Sequence, residues 1–138
     1  MTNTITVSTT VKKSTSQVWE YFTNPIHIVN WNHASSDWHC PMATNDLRVN
    51  GRFSSIMSAK DSSSSFDFNG VYTKIEIKKQ IEYVLEGGRE VQVMFESLDQ
   101  NTTKVTENFE AENANTPEKQ REGWQAILDN FKTYIEAN

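Results

Sequence analysis

Residues 116–138 read TPEKQREGWQAILDNFKTYIEAN, with large apolar side chains at Trp124, Ile127, Leu128, Phe131 and Ile135. These positions recur at i, i+3, i+4, i+7 and i+11, which is one stripe along a helix. Thr116 is a good N-cap, Pro117 fits the first helical position, and Glu118 complements the dipole of the first turn. The spacing predicts a helix from about Pro117 to Glu136, roughly six turns of 3.6 residues each.

Upstream of it the period is two. Thr103, Val105, Glu107 and Phe109 fall on one face of a strand, as do Val91, Val93 and Phe95, and Ile81, Tyr83 and Leu85. Gly87-Gly88 is a hairpin signal, and Asp99-Gln100-Asn101 turns the chain again. Phe66 and Phe68 alternate with Asp67 and Asn69, Gly70 is expected to mark a bulge, and the strand continues from Tyr72 to Ile77. Before the polar turn Asp61–Ser65, Arg48–Lys60 is expected as a strand with Gly51 near its start.

At the N-terminal end, Ile5, Val7, Thr9 and Val11 form one face of a half-buried strand. Ser14 and Gln17 have capping-box spacing, and Val18, Trp19 and Phe22 make the stripe of the helix they open. Asn24-Pro25 ends that helix and opens a second short one, with Ile26 and Val29 expected inward. From Asn30 to Asp46 periodicity is poor, and the segment is expected to be loop with a short strand near Trp38.

Short hairpin connections exclude a parallel sheet, which needs crossover helices. The final helix carries the stripe long enough to cover one face of the meander. The expected fold is α+β: a curved antiparallel sheet around the C-terminal helix, with two short helices after strand one, in a single domain spanning 1–138.

Composition bounds the function. There are 13 basic and 18 acidic residues, a net charge of −5, so neither nucleic acid nor an anionic membrane surface is an expected partner. The longest apolar run is three residues, as in Val93-Met94-Phe95, too short to span a bilayer. The first fifteen residues lack an apolar h-region, so no signal peptide is expected. One cysteine, Cys40, suits a reducing compartment, and a cytoplasmic location is expected. His33, Asp37, His39 and Cys40 match no zinc-ligand spacing, no nucleotide-binding or catalytic-triad signature is present, and no metal or cofactor is expected. Nothing in the sequence pairs Cys40 with a base, so a nucleophilic role is not assigned to it.

Several segments, taken in order, resemble a known family. They are Val18-Trp19 through Asn24-Pro25 with Trp31 beyond, Gly51-Arg52-Phe53, Gly70-Val71-Tyr72, Ile81-Glu82-Tyr83, Lys104-Val105-Thr106, and Glu122-Gly123-Trp124 with Leu128. Together they resemble the START-like, or SRPBCC, superfamily. Within it they are similar to the domain homologous to the C-terminal part of the heat-shock protein 90 ATPase activator. The resemblance implies a seven-stranded helix-grip fold with a cavity between sheet and last helix. Many bacterial members are described as polyketide-cyclase-like. The co-chaperone's separate N-terminal domain has no counterpart in these residues, so ATPase activation is not expected.

In that fold the cavity wall comes from inward strand positions and the sheet-facing side of the last helix. The candidates are Phe53, Met57, Phe66, Phe68, Tyr72, Tyr83, Val93, Phe95, Phe109, Trp124 and Ile127, the alternative being that these side chains simply fill a core. Trp31, His33, Trp38 and His39 are placed near the cavity mouth, the tryptophans as core anchors or rim. Gly123 breaks helix propensity, and close approach to the sheet is the expected reason, with room for a ligand as the rival.

Glu107 stands out, because alternation carries it to the face of Val105 and Phe109. A buried carboxylate must find a partner or become neutral, so Glu107 is expected to hydrogen-bond a Tyr, His, Trp or Arg side chain on the cavity wall. Three functions follow. The first is non-catalytic binding of a small hydrophobic molecule by a monomer or homodimer. The second is a cyclase- or hydratase-type enzyme, with Glu107 and His33 as candidate proton-transfer groups. The third is a chaperone-related interaction module.

Overall fold

The computed structural model describes residues 4–138, so Met1–Asn3 of the expected 1–138 domain lie outside the described residues. The elements run β1 (Thr4–Val11), α1 (Thr15–Thr23), α2 (Pro25–Trp31), β2 (Trp38–Asn45), β3 (Arg52–Ala59), β4 (Ser65–Glu76), β5 (Gln80–Leu85), β6 (Glu90–Asp99), β7 (Thr102–Glu110) and α3 (Pro117–Glu136). The strands form one antiparallel seven-stranded sheet in the order β1-β7-β6-β5-β4-β3-β2. It curls into a half-barrel around α3, an α+β helix-grip fold.

Helix boundaries follow local chemistry. Ser14 and Gln17 form the capping box of α1. Asn24 ends α1, and its Oδ1 accepts from the Ile26 N–H at 3.0 Å, capping α2 ahead of Pro25. The Thr116 side chain accepts from Lys119 N–H to open α3. At the far end Glu136 accepts the Lys12 N–H at 2.8 Å, fastening α3 beside the end of β1.

Three expectations about elements need correction. β2 is a full eight-residue strand where a loop with a short strand was expected. A register shift between His39 and Met42, at Pro41, breaks the period-two signal there. β3 starts at Arg52 rather than Arg48, because residues 46–51 form a tight turn with Asn50 at φ 70° and a Gly51 N–H to Arg48 O bond of 2.8 Å. In α2 the buried side chains are Ile28 and Trp31, while Ile26 is 71% exposed. Asn24 and Pro25 set the phase of this short helix, and they turn Ile26 to solvent.

The core has two aromatic parts. Trp19, Phe22, Trp31, Phe95 and Phe131 pack together under α1 and α2, with ring centroids 5.0–5.4 Å apart. Phe53, Phe68, Tyr72, Tyr83 and Trp124 form a second set on the concave face of β3–β5 and the start of α3. The second set encloses space.

Candidate functional site: a cavity under the last helix

Between the second aromatic set and α3 lies a partly open cavity of about 260 Å³. That is just below the ~300 Å³ at which ligand sites usually begin, so its occupant must be small. Phe53, Ser55 and Met57 of β3 line it, with Phe66, Phe68 and Tyr72 of β4 and Ile81 and Tyr83 of β5. Arg89 precedes β6, Glu107 comes from β7, and Trp124 and Ile127 from α3. Phe22, Thr23, Ile28, Trp31 and Asn32 close the helical end, and Thr44 and Asn45 the β2 edge. Phe66 is 52% exposed and stands at the mouth.

Alternation explains the lining. β3 buries Phe53, Ser55 and Met57 and leaves Ser54, Ile56 and Ser58 half-exposed. Gly70, in phase with Phe68 and Tyr72, lets the Phe53 ring lie against the sheet, since a Cβ there would meet the Phe53 ring at 2.9 Å and Val84 O at 2.6 Å. The bulge expected at Gly70 lies between Tyr72 and Lys74 instead. Gly123 is also corrected: a Cβ there meets nothing within 4 Å, so close approach to the sheet is not its reason.

Ten of the expected residues line the cavity: Trp31, Phe53, Met57, Phe66, Phe68, Tyr72, Tyr83, Glu107, Trp124 and Ile127. Six others do not. Phe95 is covered by Trp19 and Phe22 of α1. Phe109 is fully buried behind Trp124, its ring stacked 3.9 Å away. Trp38 packs against Phe66, centroids 5.9 Å apart, and is not part of the lining. His39 points to solvent. His33 sits past the end of α2, its Nδ1 buried without a partner among the described residues, and its pKa is lowered by burial, then by Lys60 and His39. Val93, also expected on the wall, is fully buried beneath the lining.

Lining residues missed in the sequence are Phe22, Thr23, Ile28, Asn32, Thr44, Asn45, Ser55, Ile81 and Arg89. Ser55 and Ile81 were legible as the inward partners of Phe53 and Tyr83. The residues from α1 through β2 carried no such signal, because their positions depend on how the two helices dock.

Electrostatically the cavity is apolar with a few polar points. The Tyr72 hydroxyl donates to Asn45 Oδ1 at 2.5 Å, and Asn45 Nδ2 donates to Thr23 O at 2.7 Å, tying β4, β2 and α1 together. Burial raises the pKa of both Tyr72 and Tyr83, and the Glu107 charge adds to the effect at Tyr83. Glu107 is 8% exposed, and burial pushes its pKa up to about 8. The expected hydrogen bond from a Tyr, His, Trp or Arg is not made: among the described residues, no group holds the Glu107 carboxyl. Its strand neighbours Thr106 and Asn108 face outward, and Asn108 binds Thr6 and Gln92 there.

No cluster of three or more His, Cys, Asp and Glu side chains among the described residues is placed to hold a metal. Burial raises the Cys40 pKa, which opposes thiolate formation. No described helix is long and apolar enough to cross a membrane.

The profile of the family described as Activator of Hsp90 ATPase homolog 1-like protein matches residues 12–136. The chain belongs to this AHSA1-like family. A solution structure of the AHSA1-like protein from Aeromonas hydrophila is 44% identical, covering 96% of this chain and 93% of that one, with a TM-score of 0.87. The solution structure of Chr148 from Cytophaga hutchinsonii is 46% identical over 99% of this chain and 94% of that one, with a TM-score of 0.84. Protein CV1439 from Chromobacterium violaceum shares the fold, with a TM-score of 0.87 at 22% identity over 99% of both chains. No curated protein matches the chain.

Proposed function

We propose that this AHSA1-like chain binds a small, largely apolar molecule in the cavity under α3 and does not transform it. The observation that carries the reading is the second aromatic set, which surrounds about 260 Å³ instead of filling it. An aromatic-lined cavity with a few convergent polar groups is the usual form of a small-molecule site. In this reading the partner is the small molecule, in the cytoplasm, and no cofactor takes part.

Native mass spectrometry of gently purified protein tests it, together with titration by the apolar dye N-phenyl-1-naphthylamine. The expected result is a co-purifying small molecule, and saturable 1:1 dye fluorescence that Ile127→Trp abolishes by filling the cavity from the helix side. Dye binding unchanged in Ile127→Trp would overturn the reading.

One observation favours a second reading. Glu107 has a pKa near neutrality, which suits a general acid or base in a polyketide-cyclase-like or hydratase-type reaction. His33 lies outside the lining, so Glu107 would act without it. The chaperone-related module finds less support: the large exposed apolar side chains Ile26, Met42, Val49, Phe66, Ile77 and Leu98 are distributed over α2, β2, the β2–β3 turn, β4, the β4–β5 turn and β6.

A further inference from the structure

Two polar groups on the sheet side of the cavity have no partner among the described residues: the Glu107 carboxyl and the Tyr83 hydroxyl. Both face the same space. Tyr83 comes from β5 and Glu107 from β7, with their cross-strand neighbours Val91 and Val93 of β6 between them. They are near enough for a charge on Glu107 to act on the Tyr83 hydroxyl.

Two other titratable groups line the cavity, and the charge of one of them, Arg89, also reaches the Tyr83 hydroxyl. Tyr72 donates to Asn45, and Arg89 donates to the Glu110 backbone oxygen at 3.0 Å. β1 presents Val7 opposite Glu107, α3 presents Trp124 and Ile127, and α1 and α2 with the residue after them contribute the neutral Thr23 and Asn32 as their polar groups. Among the described residues no cation is paired with the Glu107 carboxyl.

A carboxyl group in apolar surroundings keeps its proton, and then it donates a hydrogen bond. The phenol donates as well. Two donors on the wall of an apolar cavity suit an uncharged acceptor with two lone pairs.

We propose that Glu107 and Tyr83 form a two-donor seat for one carbonyl oxygen, so that the ligand is a neutral, apolar carbonyl compound whose body lies against Phe53, Phe68 and Trp124. This rests on the cavity-binding reading above and adds the class of ligand.

The test compares two probes of nearly equal shape, benzophenone and diphenylmethane, by calorimetric or fluorescence-displacement titration of the full chain. The seat requires that benzophenone bind at least about tenfold more tightly, the equivalent of one well-made hydrogen bond. It also requires that the infrared carbonyl stretch of bound benzophenone move to lower frequency, and that the preference disappear above about pH 8, where Glu107 ionises. In Glu107→Leu and Tyr83→Phe the ratio of the two affinities falls toward one, whatever the absolute affinity of either probe. Equal binding of both probes by the unmodified chain, or a carbonyl stretch unchanged from apolar solvent, overturns the seat and leaves the cavity reading standing. Binding of neither probe overturns both.

Discussion

The indole of Trp124 lies face to face with the ring of Phe109, centroids 3.9 Å apart and planes 11° from parallel. This contact joins α3 to β7 and divides the interior. Behind it Phe109 belongs to the fully buried core, and in front of it Trp124 forms cavity wall. One pair of rings therefore serves stability on one side and access to the site on the other.

The two sides differ in what truncation costs. Phe131→Ala removes a fully buried ring and should cost about 3–5 kcal/mol. Trp124→Ala removes a half-buried one, so its cost should fall at or below the lower end of that range, while the cavity grows. Urea titration of both variants checks this. An equal loss in the two would mean that Trp124 is core rather than wall.

The glycines of the site make opposite predictions. Gly123→Ala meets open space and removes a glycine from a helix interior, so it should stabilise the protein by up to about 1 kcal/mol. Gly70→Ala must displace the Phe53 ring and crowd Val84 O, so it should destabilise the protein and narrow the cavity. Thermal unfolding of the two variants side by side reads the sign of each.

These glycines also mark what the sequence could carry. Period two in β5–β7, the caps of α1 and α3, and the stripe from Trp124 to Ile135 made the helix-grip arrangement legible, since each local signal agrees with the global fold. The inward position of Glu107 followed from the same alternation. Its lack of a partner did not, because a hydrogen bond depends on where side chains of other strands end. β2 was obscured by Pro41, and its register shift moves Asn45 to meet Tyr72. The reason for Gly123 needed three-dimensional neighbours, which helical spacing does not supply.

Glu107 should govern how stability varies with pH. Its folded pKa of about 8 stands above the ordinary 4.5. Below the ordinary value both folded and unfolded chains carry the proton, and the protonated form's advantage is fully present. As pH rises from there toward 8, the unfolded chain loses the proton first, and the folded state loses stability by up to a few kcal/mol. Above 8 both are ionised and the dependence ends. Glu107→Gln should flatten the curve between those limits and be the more stable protein at pH 8–9. Chemical denaturation across pH 4–9 tests this, and parallel curves for the two proteins would mean that Glu107 is solvated and titrates normally.

A small apolar molecule should occupy the space under α3, and chemical-shift mapping during titration with N-phenyl-1-naphthylamine reads this residue by residue. Saturable shifts should gather at Phe53, Tyr72, Tyr83, Glu107, Trp124 and Ile127, whose side chains line the cavity. Shifts confined to Arg52, Ser54, Asn69 and Glu86 on the opposite face of the sheet, or no saturable shifts at all, would contradict it.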